Sequence, residues 1–242
     1  MYLSHSLRVL FSTCELVGCT KSRQNLRRND EKVHFDRRSC AGSTGTCFLS
    51  QLKNRVAQNA ARDILPLQLE EQIPVPSVAG RIDHFSADAK RKRLFVSALG
   101  NNSLEVIDVF AGRVVHSIKG LAQPQGPLYV PAVDKLYVAN AEDGKVRVYD
   151  GATYTLRKTI DFGKDPDNMR YDEASKRVYV GFGEDDGGIG MIDPKTDERV
   201  GDVYKTEGHP ESFQVEAKGE HIFANVPDAG NVVESIDKKP EP

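Results

Sequence analysis

The sequence has no tryptophan, three methionines and no cysteine beyond Cys47. Its four cysteines, Cys14, Cys19, Cys40 and Cys47, lie in the first fifty residues, so the rest of the chain uses neither disulfides nor thiolate metal ligands. Within that group the spacings do not fit the short paired-cysteine pattern of zinc sites. No apolar run approaches the roughly 20 residues that a membrane-spanning helix needs. Net charge is slight, −2 over 242 residues. The chain as a whole therefore offers no attraction to nucleic acid or anionic lipid, and such partners would need a local basic patch. The single candidate, Lys90-Arg91-Lys92-Arg93, reads as a solvated turn between two strands. Catalytic signatures are missing as well: no Cys-x-x-Cys-His, Gly-x-Ser-x-Gly, His-Glu-x-x-His or Gly-x-Gly-x-x-Gly. The expectation is no catalytic residue, no metal and no cofactor.

What is present divides at about residue 65. Residues 1–65 mix Ser, Arg, Asn and Cys without a sustained period and are expected to be a disordered leader, with a short helix at 51–63 carrying Leu52, Val56 and Ala60 along one side. Leu16-Val17-Gly18-Cys19 has the form of a lipoprotein cleavage box. However, Arg8 and Glu15 interrupt the apolar stretch that an export signal requires.

From residue 66 the sequence repeats. LFVSALGNNSLEVIDV from Leu94 aligns with segments beginning at Leu136, Val178 and Ile222. An aromatic in second place recurs as Phe95, Tyr137, Tyr179 and Phe223, at spacings of 42, 42 and 44 residues. A closing aspartate recurs in step as Asp108, Asp150, Asp193 and Asp237. A period of 40 to 45 residues, filled with short alternating strands and polar turns, specifies an all-β fold of four-stranded antiparallel propeller blades. The blades are expected near 77–119, 120–162, 163–206 and 207–237, after an extra outer strand at 67–75. In the first blade the strands read as Asp83–Asp88, Arg93–Leu99, Ser103–Val109 and Arg113–Lys119, here called A to D from the axis outward. The closing aspartates are expected to cap the C–D turns through backbone N–H groups. Four repeats leave two arrangements open, an open arc with unpaired blade edges that invite self-association, or a small closed ring completed by 67–75.

LFVSA, LYVAN and VYVGF, each followed by a polar turn and a strand ending in aspartate, resemble YVTN repeats. The opening GRIDHFSADAKRKRLFVSALGNNSLEVIDV is similar to the first blade of bacterial extracytoplasmic propellers of that family. With no tryptophan there is no Trp-Asp dipeptide, which disfavours a WD40 propeller. The resemblance implies a quinoprotein amine dehydrogenase-like fold, commonly seven-bladed, and a periplasmic or secreted location, although the leader holds no convincing signal peptide. It leaves two function classes. One is a non-catalytic binding or protein-interaction scaffold; the alternative is a propeller enzyme or redox subunit, amine dehydrogenase-like or lactonase-like, with its site at the central channel.

Propeller topology puts the D–A and B–C loops on one face. Eleven acids against three bases fall there, so a protein, a peptide or a small cationic ligand is the expected partner. The D–A loops also bring polar residues to the entry of each innermost strand. These candidates are Asp83, His84, Gln125, Asp167, Asn168, His209 and Glu211, grouped at the channel mouth. The acidic hairpin Glu184–Gly188 has oxygen chemistry but lacks the alternating ligand spacing of a Ca²⁺ loop.

Overall fold

The computed structural model describes residues 6–11 and 68–237, with 219 and 230 excepted. The expected helix at 51–63 and most of the leader lie outside the described residues. Within residues 1–65 the described strand is β1 (Ser6–Phe11). It pairs with β2 (Gln68–Pro74) in a two-stranded sheet. The outer strand expected at 67–75 therefore exists, but it does not complete the fourth blade. Nothing local could reveal this, because a strand's period selects its faces and leaves its partner to long-range pairing.

The unit Gln72–Pro242 carries four antiparallel sheets. The first blade is β3 (Phe85–Asp88), β4 (Arg93–Ala98), β5 (Ser103–Asp108) and β6 (Arg113–Lys119). The second is β7 (Pro124–Val130), β8 (Lys135–Asn140), β9 (Lys145–Asp150) and β10 (Leu156–Asp161). The third is β11 (Met169–Asp172), β12 (Arg177–Phe182), β13 (Gly188–Asp193) and β14 (Glu198–Lys205). The fourth has three strands among the described residues, β15 (Ser212–Val215), β16 (His221–Val226) and β17 (Asn231–Asp237). The strands follow chain order in each sheet, A to D in the first three blades and A to C in the fourth among the described residues, as the repeat predicts.

The repeated residues account for the repeated turns. In the A–B turns Asp88 accepts from the backbone N–H of Lys90 and Arg91, and Asp172 from those of Ala174 and Ser175. The last residue of this turn takes positive φ in three blades, at Lys92, Asp134 and Lys176. In the C–D turns Asp108 accepts from Ala111, Asp150 from Ala152 and Thr153, and Asp193 from Lys195. The capping role read for these aspartates is thus what holds the turn.

The alternating apolar residues fill the space between blades. Phe95 packs with Tyr129, Leu136, Val138 and Tyr149 of the second blade. Tyr137 packs with Met169, Val178, Val180 and Ile192 of the third, and Tyr179 with Phe213, Ile222, Ala224 and Val226 of the fourth. Each marker aromatic is thus buried by the next blade in the chain. Phe223, with no later blade among the described residues, is 40% exposed.

Polar bolts on the A–B and C–D face join successive blades. Arg91 donates to Asp134 and to the Gly151 carbonyl of the second blade. Lys135 donates to Asp197 at 2.6 Å and to the Pro194 carbonyl of the third, and the Tyr137 hydroxyl donates to Asp197 at 2.8 Å. The basic run 90–93 is therefore more than a solvated turn: Arg91 ties two blades, and Arg93 pairs with Asp108 at 2.6 Å.

Candidate functional site

The opposite face is assembled by a repeated backbone ladder. In the first blade Asp83 N–H donates to Ser97 O and Ser97 N–H to His84 O; in the third, Asp167 pairs with Gly181 and Gly181 with Asn168 in the same way. This ladder fixes the residues entering the innermost strands of the first and third blades. Gly126 lets the loops meet, since a Cβ there would sit 2.1 Å from the Asp167 carbonyl oxygen.

The expected residues converge from different blades. His84 of the first blade places Nε2 3.5 Å from Asp167 Oδ1 of the third and 3.6 Å from Asp83 Oδ1. Gln125 of the second blade donates to Asp165 at 2.8 Å. His209, entering the fourth blade, has Nε2 3.8 Å from Asp167 Oδ2 and Nδ1 3.6 Å from Asp165 Oδ2. Asn168 donates both to Asp167 Oδ2, at 3.1 Å, and to the Glu211 carbonyl, at 2.5 Å. These contacts link the seven named residues across the loops, but their environments differ. Asp167, Asn168 and His209 are buried, whereas Glu211 is exposed. An open cavity of about 430 Å³ lies beside them, lined in part by His84, Phe85, Gly126, Asn168, Arg170 and Ser212.

The packing sets the electrostatics. The Asp167 carboxylate, together with the Gly183 carbonyl that takes the Nδ1 proton, pushes the His209 imidazole up to about 9 despite its burial. Burial pushes the Asp165 carboxyl up, with His209 opposing. Asp167 Oδ1 is buried and receives no hydrogen bond.

Three participants are absent from the sequence-derived set. Asp165 and the Gly183 carbonyl both touch His209. Arg170 lines the cavity, stacks over Phe213 and donates to the Met169 carbonyl; burial pulls its guanidinium below its ordinary value. Asp165 carried a signal, being an acid in the D–A loop. Arg170 and Gly183 carried none, because a central strand position and a backbone carbonyl look alike in every blade. Part of the acidic count is also neutralised nearby, Asp83 by Arg81 and Asp143 by Arg147.

No family model and no curated protein matches the chain. Solved structures do. Hydrazine synthase of Kuenenia stuttgartiensis is similar with a TM-score of 0.58 and 25% identity, over 64% of this chain and 45% of that one. A chain of a mitotic checkpoint complex is similar with a TM-score of 0.59 and 12% identity, over 68% of this chain and 51% of that one. The chain spans about half the length of each. Both are β-propeller proteins, and the four blades of this chain form an all-β propeller fold. Among the described residues no helix is long and apolar enough to cross a membrane.

Proposed function

We propose that this chain is a YVTN-like propeller scaffold whose acidic loop face binds a basic peptide or a small cationic ligand. The observation that carries the reading is the meeting of Asp167, His84, His209 and Glu211, drawn from three blades, at an open mouth where a buried carboxylate oxygen has no hydrogen-bond partner. A buried carboxylate oxygen that accepts no hydrogen bond is costly, and an incoming cation relieves that cost. A scaffold also accords with propeller neighbours, one of which is a chain of a multiprotein complex. The proposed organisation is a leader over 1–65 and a propeller domain over 66–242. The repeat resemblance carries the proposed location, the periplasm or the cell exterior. The exposed Phe223 supports self-association through the fourth blade.

The test is binding of a labelled basic peptide, measured by fluorescence anisotropy in the presence of a chelator. Asp167→Asn with Glu211→Gln should weaken binding about tenfold or more. Glu173→Gln with Glu198→Gln, on the other face, should leave it unchanged. Equal loss in both variants would remove the case for the acidic mouth. Asp134 is unsuitable as a control because Arg91 and Tyr129 both donate to it.

A further inference from the structure

We infer that the mouth is a binding site for a divalent transition-metal ion, with Asp167, His209 and Glu211 as its protein ligands. This rests on the mouth being the ligand site and names the class of cation. One ligand atom from each of these three residues lies within 4.8 Å of the other two. They come from two D–A loops, one entering the third blade and one the fourth.

The ring orientation of His209 supports the assignment. A carbonyl oxygen only accepts, so the contact to Gly183 O assigns the proton to Nδ1 and leaves Nε2 facing Asp167. Metal-bound histidines are usually oriented in this way, with the second ring N–H given to a backbone carbonyl. Nε2 and Asp167 Oδ2 are 3.8 Å apart, too far for a hydrogen bond. Two ligands each about 2.1 Å from a tetrahedral ion sit about 3.4 Å apart, so a small contraction brings the pair into coordination.

The independent sign is Asp167 Oδ1, an oxygen on a residue only 3% exposed that accepts no hydrogen bond. Its partner oxygen is already positioned by Asn168, which also holds the Glu211 backbone. That arrangement orients a ligating carboxylate from behind. His84 Nε2, 3.5 Å from Asp167 Oδ1 and carried by the first blade, is placed to supply a second imidazole. Mixed imidazole and carboxylate donors suit Zn²⁺, Co²⁺ or Ni²⁺, whereas Ca²⁺ and Mg²⁺ call for an all-oxygen set.

The experiment uses the full chain with its four cysteines replaced by serine, so that thiolates cannot contribute. Co²⁺ is titrated by visible absorption and Zn²⁺ by calorimetry at one fixed pH, the ion displacing the proton that the imidazole otherwise holds. The expected result is one ion per chain, not displaced by excess Ca²⁺ or Mg²⁺. Each of His209→Gln and Glu211→Gln should weaken it at least about tenfold, and Glu173→Gln should not. Glu211 is exposed, so its variant tests the ligand set even if His209→Gln fails to fold. Absence of saturable binding, undiminished affinity in Glu211→Gln, or displacement by Ca²⁺ would each overturn the inference. Peptide binding in chelator reads the acidic mouth separately. A chain that takes the peptide and no metal sinks only the metal assignment.

Discussion

At the scale of single residues, the aromatic marker is worth more or less according to whether a later blade covers it. Tyr137 is fully buried between the second and third blades, so Tyr137→Ala should cost about 3–5 kcal/mol through lost contacts and the cavity left behind. Phe223 occupies the same repeat position but is 40% exposed, with no later blade among the described residues, and Phe223→Ala should cost under about 1 kcal/mol. Denaturant midpoints of the two variants check this; equal losses would contradict the packing described. The sequence made both residues legible as one series, since the period is a local property. It could not separate them, because burial depends on a neighbour tens of residues away. The capping aspartates behave more uniformly. Backbone N–H donation from Ala111 holds the Asp108 carboxyl below its usual range, and Arg157 does the same for Asp150. A depressed folded value gives stability that is present above the unfolded carboxyl range near pH 4 and lost as pH falls through the folded value. The denaturant midpoint should therefore hold from neutral pH down to about 5 and decline below, with a shallower decline in Asp150→Asn.

At the scale of elements, strands were legible because period-two apolar residues and turn residues act within a few positions of one another. The contacts between blades were not. Lys135 opens β8 as an ordinary polar residue, yet its ammonium is buried against Asp197 and the Pro194 carbonyl. Removing one member of a buried pair leaves the other charge uncompensated, and Lys135→Met should cost about 3–5 kcal/mol. Adding Asp197→Asn should recover part of that loss, a coupling that a double-mutant cycle measures. Gly126 carries the corresponding constraint on the other face. Gly126→Ala forces the Asp167 backbone to move and should destabilise the fold by about 1–3 kcal/mol while weakening ligand binding at the mouth. Had β7 and the loop before β11 been spaced more widely, stability and binding would both be unaffected.

At the scale of the whole propeller domain, blade topology made the meeting of Asp83, His84, Gln125, Asp167, Asn168, His209 and Glu211 legible, because equivalent loops of successive blades must reach the same face near the axis. Distances and partners lay beyond that argument. Eleven acids against three bases suggest a strong field, but Arg81, Arg147 and Lys164 hold three of the acids and Arg170 adds a cation at the cavity. The effective charge at the mouth is therefore concentrated on Asp165, Asp167 and Glu211 around His209. Exposed acids farther out act mainly at low ionic strength, where the Debye length is about 30 Å at 0.01 M, and they are screened at about 8 Å under physiological conditions. Binding of a basic peptide should accordingly weaken as salt rises and then level off. The remaining affinity should come from the buried carboxylates, which salt screens less. Asp167→Asn with Glu211→Gln should lower that high-salt plateau, whereas Glu184→Gln with Asp186→Asn should flatten the low-salt slope and leave the plateau unchanged. Anisotropy titrations of the three proteins across a salt series separate the two contributions. A single slope shared by all three would mean that the peptide reads the summed charge of the face and not the site at its centre.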